Sequence, residues 1–175
     1  MNLVRTLALA AAVLALTPLA ARAETKVELK GTHLCCGACV KAANDILKGV
    51  EGATGKVDSK AKSITITAKD DATAQKAIDA LAAGGFHGDT GSKTVTVKED
   101  SGVKKGKVKS LTLTDVHNCC GACTNAIKAA VKKVEGVSGD TLKNRATTFE
   151  VTGDFDAEAV IKALNAAGFH AKVKS

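Results

Sequence analysis

Residues 33–39 read His33-Leu34-Cys35-Cys36-Gly37-Ala38-Cys39, and the cluster returns 84 positions later as His117-Asn118-Cys119-Cys120-Gly121-Ala122-Cys123. Val50-Glu51-Gly52 recurs as Val134-Glu135-Gly136 at the same offset, and Gly85-Phe86-His87 recurs as Gly168-Phe169-His170 at offset 83. All 6 cysteines and all 4 histidines of the chain fall at matched positions. Self-similarity at a fixed period means that one unit has been duplicated.

The pattern around the cluster is the same in both copies. In the first, Val27 and Leu29 alternate with charged residues, as a half-buried strand does. Cys39, Val40, Ala43, Ile46, Leu47 and Val50 then recur at helical spacing, and Gly52 stops that helix. Val57, then Ile64 and Ile66, mark two strands about a turn at 58–62. Ala74, Ala77, Ile78 and Leu81 form a second helical stripe, ended by Gly84-Gly85, and Val95 and Val97 mark a closing strand. The second copy opens with Leu111 and Leu113. Cys123, Ile127, Ala130, Val131 and Val134 line its first helix. Leu142, then Phe149 and Val151, mark strands, Ala157, Val160, Ile161 and Leu164 a second helix, and residues 169–173 a closing strand. The order β-α-β-β-α-β in each copy predicts an α+β chain of two tandem ferredoxin-like βαββαβ sandwiches. The first copy is longer between Phe86 and Val97, so a hairpin or bulge is expected at its last strand.

Outside the copies lie two other segments. Residues 1–23 carry Arg5, an apolar run from Leu7 to Leu19 and the small-x-small site Ala21-Arg22-Ala23, the layout of a cleaved secretory signal. The run is too short for a comfortable membrane span. Residues 99–107 are charged and glycine-containing without apolar periodicity, and read as a solvated tether. The expected organisation is a signal at 1–23, a module at 24–98, a linker at 99–107 and a module at 108–175. A periplasmic or secreted protein follows, with no membrane attachment expected after cleavage.

Composition narrows the function. Without residues 1–23 the chain holds 23 Lys and Arg against 18 Asp and Glu, a mild net charge of +5. It has no Trp, no Tyr and 4 Phe, so stacking on nucleic-acid bases is hard to build. Pro18 is the only proline and leaves with the signal, which excludes a cis-proline loop. Two modules of this size fold marginally and leave little room for a substrate cleft. No Ser-His-Asp order, phosphate loop or carboxylate pair stands out, so no enzyme activity is expected.

The cysteines carry the chemistry. Cys36 falls in the loop and Cys39 in the first helical turn, so both sulfurs can converge on one ion. Exposed N–H groups at a helix start favour negative charge there, hence the thiolate, which is the ligand form. Soft sulfur selects copper(I) and zinc(II), and by extension cadmium(II) or mercury(II), over calcium or magnesium. Adding His33 and Cys35 would make a Cys3His set, a combination common in closed zinc sites.

With Cys-x-x-Cys at the first strand–helix junction of a short βαββαβ unit, each copy resembles the heavy-metal-associated domain. That family includes copper chaperones, the periplasmic mercury-binding protein and the amino-terminal modules of metal-pumping P-type ATPases. The resemblance covers nearly all of the chain after residue 23, as two modules. Its loop is Gly-Met-Thr-Cys-x-x-Cys, so it implies that Cys36, Cys39, Cys120 and Cys123 are metal ligands and that a metal-transporting membrane protein is a partner. The family's Gly is replaced by His33 and His117, its Met by Leu34 and Asn118, and its Thr by Cys35 and Cys119. Cys35 and Cys119 are then either added ligands or spare thiols that protect or exchange metal. His33 and His117 are ligands or support them. The up-and-down path of the topology returns the Gly-Phe-His corner to the edge that carries the cysteines. His87 and His170 are therefore further candidates, as ligands or as donors to a thiolate, and Phe86 and Phe169 are expected over the site or capping the core.

The function expected is an exported protein that binds about one soft or borderline metal ion per module and sequesters or transfers it. Two alternatives stand beside it. A thiol–disulfide redox protein would use Cys-Gly-Ala-Cys directly, but it lacks the tryptophan and the cis-proline of thioredoxin-like sites. A disulfide-stabilised exported binding protein would suit the oxidising compartment, but three cysteines per module leave one unpaired.

Overall fold

The computed structural model describes residues 24–174, so the expected signal at 1–23 lies outside the described residues. The first half contains β1 (Thr25–Lys30), α1 (Gly37–Lys48), β2 (Ala53–Asp58), β3 (Ser63–Ala68) and α2 (Asp71–Ala83). The second contains β4 (Lys107–Thr114), α3 (Gly121–Lys132), β5 (Val137–Asp140), β6 (Phe149–Asp156), α4 (Ala157–Ala166) and β7 (Lys172–Val173). The fold is α+β throughout.

The first sheet is antiparallel in the order β1-β3-β2, with Val27 opposite Ile66 and Leu29 opposite Ile64. These four side chains are buried on one face, as the period-2 alternation requires. Against them pack Cys39, Ala43 and Leu47, one stripe of α1 at i, i+4 and i+8, and Ala74, Ala77, Ile78 and Leu81 of α2. Full burial of an Ile or Leu stabilises by roughly 1.5–3 kcal/mol. In the second half the sheet order is β5-β6-β4-β7, with Leu113 opposite Phe149 on one side and Val173 on the other.

Two strand expectations are corrected. Val95 and Val97 do not form a strand among the described residues, although Val95 is buried. The backbone there is satisfied by side chains instead: the Gln75 amide donates to the Thr96 carbonyl and accepts from its N–H at 2.8 and 3.0 Å. The Val95 N–H donates to Ser92 Oγ. Such local side-chain bonds compete with a sheet ladder. The edge of β1 is met by Asp89, through reciprocal 2.8 and 2.9 Å bonds with Lys30. In the second half β5 ends at Asp140, whose carboxylate accepts from Leu142 N–H; Leu142 is buried in irregular backbone rather than in a strand.

The segment read as a solvated tether is largely exposed but is anchored near its start. Ser101 is buried and its carbonyl accepts from Val173 N–H at 2.8 Å, while Asp100 lies 2.9 Å from His170 Nε2 and 3.1 Å from Lys172 Nζ.

The halves are joined by the two Gly-Phe-His corners. Phe86 and Phe169 form an antiparallel bridge, His87 N–H donates to the Gly168 carbonyl, and His170 N–H donates to the Gly85 carbonyl. This junction sets the two cysteine loops against each other.

Candidate metal centre

Each cysteine loop ends in a helix. Cys36 is the extended N-cap of α1 and Cys120 that of α3, with nearly equal dihedrals of −158°, 170° and −157°, 172°. Neither side chain caps its own helix, so both sulfurs remain available. Cys39 and Cys123 follow in the first turn on the apolar stripe and are fully buried. Cys35 is exposed, and Cys36, Cys119 and Cys120 are half-buried.

The sequence leads us to expect one cluster at each tip. In the structure both tips form a single cluster. Within the first half, Cys35 and Cys36 Sγ lie 3.6 and 3.7 Å from Cys39 Sγ; the second half repeats this with 3.7 and 3.8 Å from Cys119 and Cys120 to Cys123. Across the halves, Cys39 lies 3.4 Å from Cys119 and 3.7 Å from Cys123, and Cys35 lies 3.5 Å from both Cys120 and Cys123. Cys36 is 3.8 Å from Cys119 and from Cys120. All six are free thiols at separations far beyond the S–S bond of about 2.05 Å.

Two imidazoles complete the donor set. His33 stacks on Phe169 of the opposite half at 4.4 Å between ring centres, and His117 stacks on Phe86 at 4.3 Å. The phenylalanines thus hold the histidines in place across the junction. Nε2 of His33 and of His117 is buried without a hydrogen-bond partner, an unusual state for a buried polar atom. One donor atom each from Cys39, His117, Cys119 and Cys123 lies within 4.8 Å of the others; so do those of His33, Cys35 and Cys123, and of Cys35, Cys36 and Cys120. A soft or borderline cation fits this set of sulfur and unpartnered nitrogen.

The cluster distributes its protons unevenly. The Cys123 thiol holds Cys39 down to about 2 by donating to it, against the cost of burial, with the His117 ring and the Cys119 thiol adding to the effect. Cys120 is drawn down to about 6, first by the Cys123 backbone N–H. Burial pushes Cys35 up to about 12 and is the first cause that raises Cys119. Cys123 is raised by its bond to Cys39 and then by burial. Burial lowers His33, which favours the neutral ligand form. A few thiolates are thus surrounded by thiols, and a cation that takes more sulfurs must displace protons.

Other candidate residues are placed differently. His87 and His170 belong to none of the converging donor groups. Their rings lie parallel at 6.0 Å, with His87 Nε2 4.0 Å from Glu99 and His170 beside Asp100. Leu34 is in the core. Asn118 is buried but satisfied: its amide donates to the Lys143 and Ala146 carbonyls and its oxygen accepts from Thr124 Oγ1. It ties the cysteine loop to the 142–146 turn. The cross-half pairing of each His with the other copy's Phe was not foreseen; its only trace in the sequence is that both motifs are duplicated. A cleft of 380 Å³ opens beside His117 and Cys119; a larger one of 530 Å³, by His87 and Glu99, has no sulfur in its lining. No helix among the described residues is long and apolar enough to cross a membrane.

Residues 114–170 match the family model of the heavy-metal-associated domain. No curated protein matches the chain. Among solved structures, the chain is similar to oxidized MerP from Ralstonia metallidurans CH34, at 31% identity over 38% of this chain and 97% of that one, with a TM-score of 0.36. It is similar to a copper binding domain from HMA7, a P-type ATPase, at 22% identity over 39% of this chain and 96% of that one, with a TM-score of 0.36. The N-terminal soluble domains of Bacillus subtilis CopA align over 87% of this chain and 95% of theirs, at 18% identity and a TM-score of 0.32.

Proposed function

We propose, for a chain that belongs to the heavy-metal-associated domain family through residues 114–170, that it is an exported protein which gathers soft or borderline metal ions at the junction of two tandem ferredoxin-like modules. It sequesters them or hands them to a partner such as a metal-transporting membrane protein. The modules are residues 24–98 and 108–175, joined by 99–107 and preceded by a cleaved signal at 1–23. The observation that carries the reading is the meeting of six cysteine sulfurs from both halves at 3.4–3.8 Å. Sulfur donors suit copper(I), zinc(II), cadmium(II) and mercury(II). Both helix starts present their positive ends to the thiolates.

The chain's own residues define the steps. Cys35, exposed at the rim, and Cys36 and Cys120 beside it meet an incoming ion first. Cys39 and Cys123 lie behind them in the core. Transfer runs by stepwise ligand exchange: each new thiolate replaces an old one, and each thiol that binds releases its proton.

The test is anaerobic titration of the reduced chain with each of the four ions, followed by native mass spectrometry. Tight binding that is lost when all six cysteines are replaced by serine, and that weakens in acid, is expected. Binding unaffected by those replacements, or unchanged from pH 7 to pH 4, overturns the reading.

A further inference from the structure

Each half brings one Cys-x-x-Cys pair and one extra thiol, and the junction decides which pair that thiol serves. Cys36 and Cys39 lie 3.7 Å apart at the start of α1. Cys119 of the second half closes a triangle on them, 3.8 Å from Cys36 and 3.4 Å from Cys39. The arrangement is reciprocal. Cys120 and Cys123 lie 3.8 Å apart at the start of α3, and Cys35 of the first half stands 3.5 Å from each. The two triangles together use every cysteine of the chain once and share none.

A set drawn from one half is harder to close. Cys35 and Cys36 are consecutive, as are Cys119 and Cys120, and the second of each pair is an N-cap with extended backbone. Consecutive side chains on extended backbone leave in opposite directions, so both would have to turn onto one ion. In the exchanged set the third sulfur arrives from another loop, and no such turn is needed. The imidazoles follow the same division. His117 has a ring nitrogen within 4.8 Å of the sulfurs of Cys39 and Cys119, and His33 one within 4.8 Å of those of Cys35 and Cys123. Each ring therefore borders the triangle that its own half's extra thiol completes.

The size suits an ion bound by three sulfurs. Metal–sulfur bonds of about 2.3 Å set the sulfurs of a three-coordinate ion about 4.0 Å apart, slightly beyond the 3.4–3.8 Å edges of both triangles. Soft thiolates select copper(I), which three of them satisfy, and the positive end of one helix faces each triangle.

We propose that the two modules exchange ligands: Cys119 completes a three-thiolate site on Cys36 and Cys39, Cys35 completes one on Cys120 and Cys123, and each site takes one copper(I) ion. This rests on the function proposed above and deepens it. Each thiol that binds gives its proton to solvent, and nothing is oxidised or reduced. Neither module fills its site alone.

The test uses the reduced full chain and copper(I) without oxygen. Two ions per chain are expected by native mass spectrometry, with three sulfurs around each by X-ray absorption. Cys119→Ser and Cys35→Ser then locate the third ligand; Cys35 is exposed and Cys119 half-buried, so neither change opens the core. Each should weaken one equivalent at least tenfold. One equivalent of copper(I) added to Cys119→Ser should protect Cys120 from alkylation and leave Cys36 open, relative to the same variant without copper. In Cys35→Ser it should protect Cys36 and leave Cys120 open. The reverse pattern of protection means that each half uses its own three thiols, and overturns the exchange. So do protection of both residues in either variant, unchanged affinity in both, or two sulfurs per ion in the unaltered chain. All of these outcomes spare the broader reading, which falls only if the unaltered chain binds no thiophilic ion.

Discussion

Gly85 of the first half lies against the backbone of His117 in the second, so closely that a Cβ on Gly85 would stand 2.2 Å from His117 N. Gly168 stands in the reciprocal place, where a Cβ would fall 2.3 Å from His33 N. Both glycines have positive φ, +83° and +85°. The halves dock because these corners carry no side chain, and docking brings the thiols together. Gly85→Ala or Gly168→Ala adds about 1–2 kcal/mol of left-handed backbone strain to a direct overlap with the opposite backbone. The expected outcome is separation of the halves, seen as a larger radius of gyration in X-ray scattering and as cysteines that alkylate as two independent sets.

Asn118 holds its loop through three hydrogen bonds while buried. Asn118→Leu suits the apolar surroundings but removes all three bonds: the Ala146 carbonyl loses its donor, while the Lys143 carbonyl keeps the Ala146 N–H and the Thr124 hydroxyl keeps the Cys120 carbonyl and Asn144. Each buried polar group so stranded costs about 1–3 kcal/mol. A loss of about 2 kcal/mol in urea unfolding is expected, whereas a rise in the midpoint would contradict the structural role assigned to this residue.

Thiol reactivity should separate rim from core. Cys120 is half-buried and drawn down to about 6, so at pH 7 it is largely thiolate. Cys39 and Cys123 are covered completely. Timed alkylation of the reduced, metal-free protein, read by peptide mass spectrometry, should label Cys120 first and Cys39 and Cys123 last, with the order erased in denaturant.

Burial, and next His170, lower His87 from its ordinary value, while Glu99 opposes. The folded value then lies below the unfolded one of about 6.5, so below that pH the unfolded chain binds more protons. Stability must fall as pH drops through this window. The metal-free protein should have a lower urea midpoint at pH 5.5 than at pH 7.5, and His87→Gln should narrow the difference. An unchanged difference would mean that His87 titrates as it does in the unfolded chain.

Metal binding to the folded cluster stabilises it by mass action, by about 2.7 kcal/mol at a hundredfold excess of free ion over Kd. Thermal unfolding of the reduced chain should therefore shift upward with added zinc(II) and return to the starting Tm with chelator. A Tm insensitive to both would show that the cluster does not close on an ion.

Much of this architecture was written in the sequence. The period of 84 residues announced the duplication, and the stripes at Cys39, Ala43 and Leu47 and at Cys123, Ile127 and Val131 placed the helices, because a helix that packs on one face must repeat its apolar residues every three or four positions. The thiol chemistry was legible for the same local reason: Cys36 and Cys39 are three residues apart at a helix start. Less legible were the loops, where Gln75 takes over the backbone of Thr96 and Asp140 ends β5 early through side-chain bonds that no periodicity records. What only the tertiary structure decided is that the two tips are one site. That depends on Gly85 and Gly168 admitting the opposite backbone, and on Phe86 and Phe169 stacking with His117 and His33 across the junction. Contacts between residues 30 or more positions apart leave no mark on local sequence pattern, because they are selected by the shapes of two finished surfaces.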